Sequence, residues 1–255
     1  MRNRVQFNLA KEHIAILSPQ GGCTEPFRLL GPTIDEKLIM HDCIDKLYRK
    51  SKPKARALLR CRRYYSHNDL LLLFKSHVRS QIEWCTGAIY HAAPSKLAWL
   101  DAVQSSFLTH LGINEGSAFV EQNVAPLGLR RDISMLGVFW KIAHGFAHPD
   151  FKRLFQSAPS VPRAHRTRAR ARRHDLQFVD FCDGTQLRQF QRSLFGLVKV
   201  WNVLPMKYVH AESVSLFQRL LTSAAKHACT DNRDGWQTMF ATSSLPHTLL
   251  VQYCF

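Results

Sequence analysis

The sequence predicts a mainly α, multi-helical protein with a short β-hairpin near the N-terminus. Its composition is that of a folded chain: 255 residues, 45% hydrophobic and 21% charged, are enough to bury a substantial core and exclude a disordered or collagen-like polymer. Apolar residues recur at spacings of three and four along successive segments, as they do on helices with one buried face. The two short apolar runs that read as strands lie before residue 31.

His13 to Leu17 and Pro26 to Leu30 are the arms of the expected hairpin. They are joined by SPQGGCTE, in which Gly21 and Gly22 permit the positive φ angles of a tight return. Thr33 followed by Glu36 has capping-box spacing and is expected to open a helix running toward Ser51. Pro53 either kinks that helix or serves as a first-turn residue of the next. With residues 44–63 helical, Arg49, Lys52, Arg56, Arg60 and Arg63 share one stripe, and Ile44, Leu47, Ala55 and Leu58 lie on the opposite side. From Asn68, the expected cap, Leu70, Phe74, Val78, Ile82, Cys85 and Ile89 trace an amphipathic helix. Pro94 and Ser95 open another, with Leu97, Leu100, Val103, Phe107, Leu108 and Leu111 as its buried stripe and Gly112 as its stop. Further helices are expected at about Arg130 to Gly145, Arg188 to Leu204 and Ser213 to Cys229.

The net charge is +16, from 35 Lys and Arg against 19 Asp and Glu, which makes a polyanion the first partner to consider. The excess is concentrated. Lys46 to Arg63 holds nine basic residues and no acid, Lys152 to Arg173 holds eight and no acid, and the rest of the chain is near neutral. Blocks of this kind suit phosphate binding, whereas a solubilising charge would be spread over the surface. The second block includes SAPSVPRAHRTRARARRH, with two prolines and six arginines. It is expected to be a basic linker over residues 156–175, lying along a phosphate backbone through Arg166, Arg168, Arg170, Arg172 and Arg173 or acting as a nuclear localisation patch. It would divide a helical part, residues 36–155, from a smaller one, residues 176–240.

MRNRVQFNLAKEH is polar where a secretory leader needs an apolar core, and charges interrupt every apolar run short of the ~18 residues of a membrane span. No membrane partner is expected, and the expected location is intracellular and nuclear. Seven scattered cysteines without a CxxC pair read as free thiols in a reducing compartment. Residues 241–255 end in an apolar tail whose Cys254 is next to last, which does not fit a prenylation signal. Phosphate-loop, dinucleotide, nucleophile-elbow and zinc-helix motifs are absent. His41 with Cys43 and His227 with Cys229 lack structural zinc spacing, and Asp42 and Asp45 are expected to be surface or capping residues.

Several segments, in collinear order, resemble the region downstream of the catalytic palm in reverse transcriptases of non-LTR retrotransposons. Phe7-Asn8-Leu9-Ala10-Lys11 resembles the motif in which a lysine lies near the incoming nucleotide's triphosphate. Phe27-Arg28-Leu29-Leu30-Gly31-Pro32-Thr33-Ile34-Asp35 resembles the primer-grip hairpin, with Phe27, Leu29, Leu30 and Gly31 at the gripping positions and Pro32 where the family more often has Val. Leu100 to Leu108, Arg130 to Leu136, Arg192-Ser193-Leu194-Phe195, and Trp201-Asn202-Val203-Leu204-Pro205 with Phe217 resemble the helical C-terminal extension. Trp201, Leu204, Pro205 and Phe217 are themselves expected to serve helix packing and a helix stop.

The resemblance makes residues 1–35 a residual palm edge with the hairpin, and the helices after it the thumb. It implies RNA-directed DNA polymerase as the parent activity, with magnesium as its cofactor. The chain contains no Asp-Asp pair, and two-metal nucleotide transfer needs such carboxylates. The expectation is therefore a truncated, non-catalytic fragment without cofactor, in which Lys11 has no nucleotide chemistry to assist. It would keep sequence-independent binding of RNA or DNA through the phosphate backbone, using Arg49, Lys52, Arg56, Arg60, Arg62 and Arg63 together with the linker arginines. The alternative expectation is a helical interaction or self-association module whose exposed surfaces once met the palm.

Overall fold

A computed structural model describes residues 17, 25–158, 174–182 and 188–242. The described chain is mainly helical, with one antiparallel strand pair near its N-terminus. Strands β1 (Phe27–Arg28) and β2 (Thr33–Ile34) pair in the register Phe27 to Ile34 and Arg28 to Thr33. Their turn holds Leu30 at φ 50° and Gly31 at φ 116°. Glycine is required at the second position twice over. Its φ disfavours any side chain, and a Cβ there would collide with the Trp84 indole.

Among the described residues the short hairpin near the N-terminus is this β1–β2 pair. The second arm of the expected hairpin contains β1, whose observed mate is downstream, and most of the first expected arm, His13 to Ile16, lies outside the described residues. Thr33 is correspondingly not a helix cap. Its backbone is committed to Arg28, and the carboxylate of Asp35 accepts instead from the backbone N–H groups of Ile39 at 2.7 Å and Met40 at 2.6 Å. The first helix follows this turn.

That helix, α1 (His41–Arg60), runs through Pro53 without ending. Pro53 is exposed, so the Arg49 carbonyl it leaves without a helical donor is on the solvent side. α1 buries Cys43, Ile44, Leu47, Ser51 and Ala55. The next segment is a broken rod: α2 (His67–Phe74), a π-helical turn (Lys75–Arg79), α3 (Ser80–Glu83) and α4 (Thr86–Ile89). Its cap is Ser66, not Asn68. The Ser66 hydroxyl accepts from the Asp69 N–H at 3.2 Å, and the Asp69 carboxylate accepts in return from the Ser66 N–H at 3.3 Å. The Ser76 hydroxyl donates back to the Leu72 carbonyl at 3.0 Å, a bond that helps bend a helix. Despite the break, Leu70, Phe74, Val78, Ile82, Cys85 and Ile89 are all buried, as their spacing predicts.

α5 (Pro94–His110) starts at its proline and ends at Gly112, φ 69°. The N–H of Ile113 reaches the Leu108 carbonyl and that of Gly112 the Thr109 carbonyl, both at 3.0 Å, the two bonds of a Schellman stop. α1, the broken rod and α5 close a first core, in which Phe74 and Phe107 stack at 4.5 Å.

A second core is built by α6 (Glu115–Gln122), α7 (Leu127–Ala143), α8 (Asp150–Leu154), α10 (Val198–Val203), α11 (Met206–Val209) and α12 (Val214–Thr230), while the short α9 (Arg188–Arg192) buries no residue. The expected helix from Arg188 to Leu204 is interrupted at Ser193, whose hydroxyl caps a 3-10 turn, Leu194–Leu197. Trp201 is fully buried between Phe139 of α7 and Phe217 of α12, and its indole N–H donates to the Leu176 carbonyl at 2.7 Å. The Asn202 amide exchanges two hydrogen bonds with the Phe178 backbone, at 2.8 and 2.9 Å. Pro205 caps α11 directly after α10 ends. Packing and a helix stop are therefore what these residues do. α7 and α12, which precede and follow residues 156–175 in sequence, pack together, and a strand-like bridge joins Ser157 to Phe178, so helices before and after that stretch share one core.

Two of the family-like segments meet at one ion pair. Asp101 of α5 receives both terminal nitrogens of Arg131 of α7, at 2.7 and 2.8 Å, with Arg131 only 7% exposed. Beside it, Asp132 is buried and accepts from the Tyr90 hydroxyl at 2.7 Å. Burial pushes the Asp132 carboxyl up to about 6, against the lowering pull of Tyr90 and Arg131. The folded state therefore binds the Asp132 proton more tightly than the unfolded chain, so stability falls as pH rises from about 4 to 6 and stays lower above. Asp132→Asn keeps an acceptor for Tyr90. It is expected to flatten that pH dependence in urea melts and to stabilise the chain at pH 7 by on the order of 2–3 kcal/mol.

Candidate nucleic-acid interface

The face of α1 opposite its buried stripe is open. Lys46, Arg49, Arg56 and Arg60 are exposed along it, and Lys50 and Lys54, seven residues after Cys43 and Leu47, are exposed on the side of the buried stripe. The helix ends at Arg60, so Arg62 and Arg63 extend the basic surface from an exposed turn rather than from the helical stripe. Two expected members are modified by neighbours. Arg49 pairs with Asp45, one turn earlier, at 2.8 Å. Lys52 is half-buried, hydrogen-bonded to the Tyr48 hydroxyl with its ammonium 4.7 Å from the ring centroid. It lies on the shoulder of α1 facing α5, in a groove of about 320 Å³ shared with Tyr48, Arg56, Ser106 and His110. Lys52 is thus partly withdrawn from the open face, because the helical turn carries it toward the neighbouring helix.

The hairpin and α1 converge. Lys46 donates to the Thr33 hydroxyl at 2.9 Å, and Arg28, Gly31, Lys46, Lys50 and Trp84 line a groove of about 260 Å³. Primer-grip-like and basic positions, separate in sequence, here form one surface. Phe27 is half-buried, Leu29 is exposed, and Leu30 at the tip is 93% exposed. Cys43 also borders this groove, and its thiol is lowered to about 7 because Cys85 hydrogen-bonds to it, with burial opposing and Lys46 assisting. Cys85 is pushed up by the same bond and by burial.

Sequence patterning missed the aromatic component. Tyr64 is 85% exposed and Tyr65 is also exposed, directly after Arg62 and Arg63. The run Arg-Cys-Arg-Arg-Tyr-Tyr carries the signal, since exposed rings beside arginines give bases a stacking platform. Lys11 and the linker arginines Arg166, Arg168, Arg170, Arg172 and Arg173 lie outside the described residues.

Among the described residues no group of three or more His, Cys, Asp or Glu is gathered as a metal site, and no helix is long and apolar enough to cross a membrane. The described cysteines Cys43, Cys61, Cys85, Cys182 and Cys229 are free thiols. Comparison with protein-family models, curated proteins and solved structures gives no match.

Proposed function

We propose that the chain binds RNA or DNA through the sugar-phosphate backbone without reading sequence, in the manner of the thumb of a reverse transcriptase. The observation that carries this reading is the open face of α1, where a row of exposed Lys and Arg faces solvent with Asp45 as its one ion-paired acid. Backbone contact needs such a row and no base-specific groups. A hybrid duplex suits it, because its shallow minor groove displays 2′-hydroxyls and phosphates along a regular path. The arginine-rich stretch between residues 163 and 173 is proposed as a further phosphate contact and as a nuclear localisation patch.

Charge reversal provides the test. Arg56→Glu with Arg60→Glu is expected to weaken retention of three hybrid duplexes of unrelated sequence by the same factor, and to reduce the slope of log K against log salt by about 2. A loss confined to one sequence would overturn backbone-only contact. The exposed apolar tip, Leu29 and Leu30, favours a second reading, self-association. Salt-insensitive oligomers in sizing chromatography, without retention of nucleic acid, would support that reading in place of the first.

A further inference from the structure

Away from α1, a groove of about 540 Å³ runs between α7 and α12 beneath the end of α6, and none of the sequence signals marks it. Its walls are polar faces of two helices. Arg130 and Ser134 stand one turn apart on α7, and Arg219, Thr222, Ser223 and Lys226 follow one another along α12. The opposite side of α12 is apolar, with Phe217, Leu221, Ala224, Ala225 and Ala228 buried in the second core. Gly137 brings the helices close, since a Cβ there would strike the Gln218 amide in the groove.

The cations are held in place. Arg130 donates from two nitrogens to Glu83 of α3, and Arg79 lies 3.8 Å from the same carboxylate. Lys226 donates to the Val120 carbonyl at 3.3 Å, and Lys75, on the adjoining π turn, donates to the Gln122 carbonyl at 2.6 Å, so both ammonium groups sit at the C-terminal end of α6. Arg219 has no ion-pair partner among the described residues. One acid, Glu83, thus serves Arg79 and Arg130 while Arg219, Lys226 and Lys75 add uncompensated charge. The repulsion is felt locally: Lys75 is lowered from its ordinary value by burial first, then by Arg79, Arg130 and Lys226. An anion placed among these groups would relieve it. The hydroxyls of Ser134 and Ser223 supply neutral donors at the same place, whereas the Thr222 hydroxyl donates to the Gln218 carbonyl at 2.7 Å.

We propose that this groove is a phosphoryl-binding site, separate from α1, seating a phosphate between Arg130, Arg219 and Lys226. The phosphate is carried either by a nucleic-acid strand or by a free polyphosphate. Arg219 provides the forked donors that match phosphate oxygens, Arg130 offers the nitrogen that Glu83 does not hold, and Lys226 provides a point charge. The site does not depend on the α1 surface.

Titration of the full chain with sodium tripolyphosphate, followed by calorimetry and by the rise in melting temperature, tests the assignment. The wild-type chain is expected to bind, and Arg219→Ser with Lys226→Ser to bind ~10–100-fold more weakly. Ser223→Asp, an exposed change that leaves the lysine contacts to α6 intact, is expected to reproduce the loss. The α1 variant Arg56→Glu with Arg60→Glu is expected to keep wild-type tripolyphosphate affinity even where it loses duplex binding, which separates this site from the α1 reading. Competition by a single-stranded oligonucleotide identifies a strand as the source of the phosphate, and absence of competition identifies a free polyphosphate. Failure of the wild-type chain to bind tripolyphosphate, or equal binding by both groove variants, overturns the proposal.

Discussion

Raising salt from 50 to 200 mM is expected to loosen the chain's hold on a hybrid duplex by ~10³–10⁵-fold if ~6–10 phosphates are contacted. The reason lies in counterions. Each Lys or Arg that meets a phosphate releases condensed cations to bulk, and that release is worth less as bulk salt rises. The exposed groups of α1 and its following turn, Lys46, Arg49, Lys50, Lys54, Arg56, Arg60, Arg62 and Arg63, are enough for the lower part of that range, and the linker arginines extend it. Arg49 contributes less than its neighbours, because Asp45 is already at 2.8 Å. Fluorescence anisotropy with a labelled duplex across a salt series reads the slope directly. A flat curve with tight binding would mean that non-ionic contacts dominate and that the basic face is only a solvated surface.

Trp201→Ala is expected to destabilise the chain by ~3–5 kcal/mol, a large part of the ~5–15 kcal/mol that holds a typical domain together. The indole touches both halves of the second core, with ring centroids 5.9 Å from Phe139, 6.1 Å from Phe178 and 5.8 Å from Phe217. Truncation opens a cavity among rings that cannot all collapse into it, and it also strands the Leu176 carbonyl that the indole N–H satisfied. At ~2–4 °C per kcal/mol for a chain of this size, the melting temperature should fall by ~6–20 °C. Trp201→Phe, which keeps a ring but loses the N–H, should fall between wild type and alanine. A loss of under ~1 kcal/mol for the alanine variant would show that the second core does not depend on this indole.

The helical body was legible because its signals are local. Six apolar positions from Leu70 to Ile89 follow a helical period, and Pro94, Gly112 and Ser213 start or stop helices by their own backbone chemistry. The period says which residues face inward but not whether the backbone runs unbroken, so the π turn at Lys75–Arg79 was invisible. The helix start after Thr33 was misread because the decisive contact is between strands. Capping-box spacing at Thr33 and Glu36 competes with the pairing of Thr33 to Arg28, and the pairing prevails, with Asp35 taking over the turn. Half of the basic surface was visible as a block of charge on α1. The α7–α12 groove was not, because Arg130 on one helix and Arg219 and Lys226 on another are far apart in sequence and form no block of charge there.

The bridge at Ser157 and Phe178 has one more consequence. Ala158 donates to the Gln177 carbonyl at 2.8 Å and Val179 to the Gln156 carbonyl at 2.9 Å, so residues 156–158 and 177–179 lie side by side. What joins the halves on either side is side-chain interdigitation of α7 with α12, together with this short ladder. A chain cleaved between Ala158 and His174 is therefore expected to elute as a single particle in sizing chromatography and to separate into two polypeptides in denaturant.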